Sequence, residues 1–234
     1  MDGALVIIPT YNEAENISEL IDQVLAAAPL VHILVVDDNS PDGTGRIVTK
    51  RAHADARIHL LHREKKNGLA AAYQAGFKWG LGEDYQYFLQ MDADFSHSPL
   101  DVPRMLSRLE GNDAVVGCRY VEGGSTAGWS WIRQGISRGG NTYAQFILSL
   151  PYKDLTGGFN AWRRKVLETI HPETIRSRGY AFQVEMKYRA HTNKFSIREL
   201  PIHFENRKYG KSKMSGKIVW EAAFRVLQMK LIPA

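Results

Sequence analysis

Residues 87–99 read YFLQMDADFSHSP. A largely apolar run leads directly into Asp92-Ala93-Asp94. One acid at a strand end is ordinary turn chemistry; two acids at i and i+2 raise the question of a cation. Residues two apart on an extended chain point to the same face, so both carboxylates can converge on one ion.

The flanking sequence repeats the theme. "ALVII" at 4–8 is a continuous apolar run closed by Pro9 and predicts a buried strand. Asn12 with Glu15 three residues on resembles a capping box, and Ile17, Leu20, Ile21, Val24 and Leu25 follow at helical spacing until Pro29. "HILVVDDNS" predicts a second strand ending in acids, with Ser40 as helix cap and Pro41 at the first helical position. "IHLLH", a helix over 69–81, a strand over 85–91, the helical "DVPRMLSRLEG" and the strand "DAVVGCRY" continue the alternation. Strands without polar faces, alternating with helices, indicate an α/β fold with a mostly parallel central sheet covered on both sides. Ligands bind such sheets beyond the carboxyl ends of the strands. "PTYNE", "DDNS" and "DAD" should therefore open on one edge.

With 234 residues, 44% hydrophobic and 24% charged, the chain can bury a substantial core. We read 1–234 as one catalytic domain, with an amphipathic interface helix at about 214–231. A single cysteine, Cys118, excludes a disulfide framework and a thiolate zinc site. No basic segment precedes the apolar run at the N-terminus, which argues against a secretory signal, and no apolar stretch approaches a membrane span. The net charge of +5 is mild, but Arg207, Lys208, Lys211, Lys213 and Lys217 crowd the stretch 203–217, which suits a phosphate-bearing ligand or an anionic surface. No aromatic–basic interleaving points to nucleic acid. The Gly43-Thr44-Gly45 stretch fails as a dinucleotide fingerprint because Val48 stands at the third glycine, and "YGKSK" fails as a phosphate loop because Glu205 stands at the first.

"VIIPTYNEAENI", "VVDDNSPDGT", "REKKNGLAAAY", "MDADFSHSP", "GCRYVEGG", "SRGGN", "DLTGGF", "GYAFQVEM" and "FENRKYGKSKM" occur in this order. Together they resemble the polyprenol-phosphate (dolichol-phosphate) mannose synthases of the inverting glycosyltransferase family 2, over residues 5 to about 217. The chain resembles the short members, without the C-terminal transmembrane helices that others carry. The resemblance implies a GT-A fold and mannose transfer from GDP-mannose to a polyprenyl phosphate, assisted by Mg2+ or Mn2+. It implies that Pro9, Tyr11, Glu13, Val36, Asp38 and Ala93 hold the nucleoside side of the donor. Asp94 would ligate the metal, with Asp92 beside it and Ser96 adding an oxygen. Arg119 would face the donor diphosphate or the acceptor phosphate, Arg207 and Lys213 would close over the diphosphate, and Arg133 with Ser137 would grip the lipid phosphate. Glu185 is a candidate orienting residue.

Competing readings keep the fold: glucose transfer from UDP-glucose to a polyprenyl phosphate, or another family 2 transfer. A non-catalytic nucleotide-sugar-binding subunit is disfavoured by the intact acids and the basic segment. Trp129, Trp131, Ile132, Ile136, Phe146 and Ile147, and the terminal helix with Ile218, Val219, Ala222, Ala223, Val226, Leu227 and Met229, predict peripheral contact with the cytoplasmic face of a membrane. A separate membrane-anchoring protein is the alternative partner.

Overall fold

The structure, a computed structural model, describes residues 3–206 and 216–231. Strands and helices alternate as β1 (Ala4–Thr10), α1 (Ile17–Ala27), β2 (His32–Asp37), α2 (Thr44–Ala54), β3 (Ile58–His62), α3 (Leu69–Leu81), β4 (Tyr87–Gln90), α4 (Asp101–Arg108) and β5 (Ala114–Cys118). There follow β6 (Ser125–Thr126), α5 (Trp131–Leu148), β7 (Asn160–Arg163), α6 (Arg164–Ile170), α7 (Gly179–Thr192), β8 (Ile197–Pro201), β9 (His203–Phe204) and α8 (Gly216–Leu231). The main sheet has the order β3-β2-β1-β4-β7-β5-β8, and all its pairings are parallel except those of β7. β6 and β9 form a small parallel pair apart from it.

The apolar runs become strands because both sheet faces are covered. One face packs Val6, Ile8 and Val35 against α1 and α4 residues such as Leu20 and Met105; the other packs Leu5, Ile7 and Val36 against Tyr73 and Phe77 of α3. α3 approaches closely because two of its residues are glycine. A Cβ on Gly76 would stand 2.6 Å from Ile7 Cγ2, and one on Gly80 would stand 2.7 Å from both Leu5 Cδ2 and Phe88 Cε1.

Several local expectations change. Pro9 lies inside β1 rather than ending it: pairing with β4 stops at Ile7, so the missing N–H of proline costs no ladder bond on that side. The capping box at Asn12 does not form. Asn12 takes φ +62°, and the N–H groups of Asn12, Glu13 and Ala14 donate to Ser40 Oγ, Thr44 Oγ1 and Asp42 Oδ2. α1 therefore starts only at Ile17. Ser40 is likewise no cap; α2 begins at Thr44 after Gly43 at φ +92°. In both cases a tertiary cross-link between two loops outcompetes a local cap.

The close α3 contact is testable. Gly80→Ala should destabilise the fold by about 1–3 kcal/mol through overpacking. Urea unfolding would measure it, and an unchanged midpoint would show that helix and sheet can separate freely.

Candidate active site

β1, β2 and β4 run parallel, so their carboxyl ends do open on one edge. A buried carboxylate ties two of them together. Asp37 accepts from Thr10 Oγ1 at 2.9 Å, from Ser40 N at 3.0 Å and from Ser40 Oγ. Asp38 N donates to Thr10 O at 3.1 Å. The Asp38 carboxylate accepts from Arg63 Nη1 at 2.7 Å; burial, only partly offset by Arg63, pushes its pKa up. Lys66 Nζ stands 3.6 Å from the centre of the Tyr11 ring. Pro9, Tyr11 and Glu13 are partly exposed on this edge. Glu13 Oε2 also accepts from Asn16 Nδ2 at 2.8 Å, so it supports the start of α1 as well.

Val36 offers no side chain to this edge. Its side chain is fully buried and faces α3, 3.2 Å from where a Gly76 Cβ would stand, which leaves its backbone at the end of β2 as the part that could meet a ligand. Ala93 is also buried, within the core that packs α1 and α4.

Asp92 lies just beyond β4 and Asp94 in the turn that follows, not on a strand, so the i, i+2 spacing does not by itself bring their carboxylates to one side. The turn holds them another way. Tyr73 OH donates to Asp92 Oδ1 at 3.2 Å from α3, and Asp92 N donates to His97 Nδ1 at 3.2 Å. His97 is buried and stacked on Phe159, with ring centres 4.8 Å apart; burial lowers its pKa, which keeps the imidazole a neutral acceptor. Phe95 takes φ +60°, and Ser96 N closes back on Asp94 Oδ1 at 3.1 Å. The bonds from Tyr73 and Ser96 fall on Asp92 Oδ1 and Asp94 Oδ1. The donor set is all oxygen, which suits Mg2+ or Mn2+ better than a softer ion. Among the described residues no three His, Cys, Asp or Glu side chains gather as a cage. Such a site leaves room for substrate phosphate oxygens.

The other half of the edge follows β5. Arg119 is nearly buried, and its Nε and Nη2 bond the two oxygens of Asp154, each at 2.7 Å. Nη2 also donates to Thr156 Oγ1 at 3.0 Å. Asp154 thus orients Arg119 and engages two of its nitrogens. Burial opposes ionisation of Asp154, but Arg119 outweighs it and holds the carboxyl below its ordinary range. Arg133 and Ser137 both lie on α5 as expected. Arg133 covers the Trp129 ring at 3.9 Å, and Ser137 Oγ accepts from Tyr120 OH at 2.6 Å. One turn on, Asn141 Oδ1 accepts from Leu155 N and Thr156 N at 2.7 and 3.0 Å. "SRGGN" and "DLTGGF" therefore meet in space.

This architecture and its motifs match known proteins. The family model for "Glycosyl transferase family 2" covers residues 5–171. The chain belongs to glycosyl transferase family 2. A polyprenol monophosphomannose synthase of Mycolicibacterium smegmatis is 48% identical over 226 residues, 96% of this chain and 85% of that protein. An undecaprenyl-phosphate mannosyltransferase of Micrococcus luteus is 44% identical over 97% of this chain and 93% of its own length. In fold, the chain resembles glucosyl-3-phosphoglycerate synthase from Mycobacterium tuberculosis, crystallised with Mn2+, UDP and phosphoglyceric acid: TM-score 0.74, 16% identity, all of this chain and 80% of that one. The fold of this family 2 chain is accordingly GT-A.

Arg207 and Lys213 fall outside the described residues. Glu185 is held within the fold: its Oε2 accepts from Ser177 Oγ, and its Oε1 accepts from both Arg189 Nε and Nη2 at 3.0 and 2.6 Å. Sequence reasoning missed Tyr73, His97, Arg63, Asn141 and Asp154. Most of them stand inside the quoted motifs, but nothing in a linear pattern says which partner each one holds.

Removing the buried partner of Arg119 should be costly. Asp154→Ala is expected to lose about 3–5 kcal/mol, because an uncompensated charge stays buried. Because folding depresses the Asp154 pKa, its stabilisation is present above the ordinary carboxylate range and lost as pH falls through the folded value. Denaturant melts across pH would check both; a variant with wild-type stability at neutral pH would refute the coupling.

Proposed function

We propose that this chain transfers mannose from GDP-mannose to a polyprenyl monophosphate with inversion, releasing GDP. The observation that supports this most is the 48% identity, across 96% of the chain, to a polyprenol monophosphomannose synthase. The chain acts as one catalytic domain. Tyr11, Glu13 and Asp38 bind the nucleoside, the two acids acting as acceptors for base N–H groups and ribose hydroxyls. Asp92, Asp94 and Ser96 would hold Mg2+ or Mn2+. When bound, that ion supplies neutralisation of the charge that grows on the leaving diphosphate. Arg133 and Ser137, with Arg119 oriented behind them, receive the acceptor phosphate, a task suited to the arginine fork.

The acceptor phosphate oxygen attacks the anomeric carbon in line, and the glycosidic bond to GDP breaks. A phosphate monoester has a second pKa near about 6, so it is largely ionised at neutral pH and needs no strong base. The pairing of Glu185 with Ser177 and Arg189 agrees with a reaction that asks for none.

The acceptor tail requires a membrane surface. Among the described residues no helix is long and apolar enough to cross one. Two elements expose apolar residues instead: Trp131 (81% exposed), Ile132, Ile136 and Phe146 (83%) on α5, and Phe224, Leu227 and Leu231 on α8. The expected surface narrows in two places. Trp129 packs edge-on against Phe204, and Val226 and Met229 of α8 are buried with Ala144, Leu148 and Val184. Ile147 is partly buried against the same cluster. The remaining apolar side chains support peripheral docking on the cytoplasmic leaflet, where each nearby Lys or Arg adds about 1 kcal/mol.

Two measurements test this reading. Purified protein with labelled GDP-mannose, polyprenyl phosphate and Mg2+ or Mn2+ should form mannosyl lipid, and Asp94→Asn should lower the rate by about a hundredfold or more while the fold survives. Product only from UDP-glucose would redirect the assignment to glucosyl transfer. In vesicle co-sedimentation, wild type should bind anionic vesicles at low salt and Trp131→Ser/Phe146→Ser should lose most of that binding. Failure of the wild type to sediment would mean that a separate anchoring protein presents the substrate.

A further inference from the structure

Lys187, on α7, is fully buried and takes no part in the chemistry described above. Its Nζ donates to the carbonyl oxygens of Leu155 at 3.0 Å and Gly157 at 2.8 Å. A lysine has no reason to be there on packing grounds, since burying an ammonium is costly unless it is paired and hydrogen-bonded. What it holds is the turn 154–158. Glu199 of β8 accepts from Asp154 N at the start of this turn, and groups of the acceptor half hold the rest: Asp154 bonds Arg119, Thr156 Oγ1 accepts from Arg119 Nη2 and from Asn141 Nδ2, and Leu155 N and Thr156 N bond Asn141. Asn141 Nδ2 also donates to Ser137 O at 2.9 Å.

We infer that Lys187 is a positioning residue, whose buried ammonium fixes the 154–158 turn and through it sets Arg119 and the Ser137–Asn141 face of α5 for an acceptor phosphate. This deepens the proposed function and rests on it. The charged and titratable groups facing Lys187 are Asp154 from the turn, Arg119 and Cys118 from the end of β5, and Glu199 from β8. Burial pushes the Cys118 thiol up to about 12, so it adds no charge at neutral pH. Two cations, Arg119 and Lys187, thus balance two carboxylates beneath the site. Loss of the Lys187 proton leaves that cluster net negative under the place where a phosphate dianion must sit. Burial, against the opposing pull of Asp154, lowers Lys187 to about 7, so the change falls within the working pH range.

The pH dependence separates positioning from plain structural support. Because folding lowers this pKa, stability from Lys187 rises with pH between the folded value and the ordinary lysine value near about 10.4. Acceptor use should move the opposite way: kcat/KM for polyprenyl phosphate should fall roughly tenfold between about pH 7 and 9, which corresponds to about 1.4 kcal/mol. The KM for GDP-mannose should stay constant over that range. Lys187→Met should raise the acceptor KM roughly tenfold, remove the alkaline fall and leave GDP binding intact, which also reports that it folds. Should Lys187→Met fail to fold, Thr156→Val, which removes the hydroxyl that accepts from both Arg119 and Asn141 and loosens the turn without burying a charge, should show the same acceptor-selective rise. Wild-type acceptor KM and an unchanged alkaline limb in Lys187→Met, or equal rises in donor and acceptor KM in Thr156→Val, would overturn the inference. Absence of any mannosyl transfer by the wild type would instead strike the proposed function.

Discussion

A parallel sheet sends every strand's carboxyl end to the same side, and the rest of this molecule follows from that constraint. The chain must return to the far edge after each strand, so its helices cover both faces while the loops that carry polar residues collect on one rim. Those loops cannot stand alone, because their backbone groups are partly buried and need partners. Asp37 meets the need at the first strand pair: it takes up Thr10 and Ser40 while Ser40, Asp42 and Thr44 receive the N–H groups of residues 12–14. The "PTYNE" and "DDNS" loops are thereby one structure, and the nucleoside side of the rim is fixed before any ligand arrives.

The second half of the rim uses charge for the same purpose. Arg119, Asp154 and Lys187 are all buried, and each would be expensive by itself. Joined, they bind the end of β5, the turn before β7 and the middle of α7. Replacing such a cluster with apolar residues could give equal or greater stability, so its presence points to orientation rather than to holding the fold together. A phosphate acceptor gives that orientation a use, since a guanidinium is useful only when its fork meets the phosphate at the right angle. The acids after β4 follow the same logic with neutral partners: Tyr73 and His97 fix the turn without adding charge to it.

α5 and α8 divide their apolar residues between two environments. Ala144, Leu148, Val226 and Met229 seal against α7, while Trp131, Phe146, Phe224 and Leu231 face outward. One helix pair therefore links the buried polar turn to the outer surface.

Much of the architecture was readable from the chain alone. Unbroken apolar runs between helical periods require a sheet buried on both faces, and topology then brings the strand-end motifs together whatever their detailed conformation. α3 appears over Leu69–Leu81 as its spacing predicts, and the acids fall on the expected rim. The local caps expected at Asn12 and Ser40 do not form because the Asn12 backbone N–H pairs with the Ser40 hydroxyl of another loop, while that hydroxyl donates to Asp37. The side chain of Val36 packs against α3, because alternation along a strand says that residues face opposite sides but not which helix covers each side. The partners of Arg119 and Glu185 are not legible in the sequence, which shows a charge and not what it pairs with. Asp154 is 35 residues from Arg119, and no short pattern links them. Periodicity and residue chemistry are local properties, and they determined the elements and the kind of site. Pairing across long separations depends on the packed chain, and only the tertiary structure decided which charged groups remain available to a substrate and which hold the others in place.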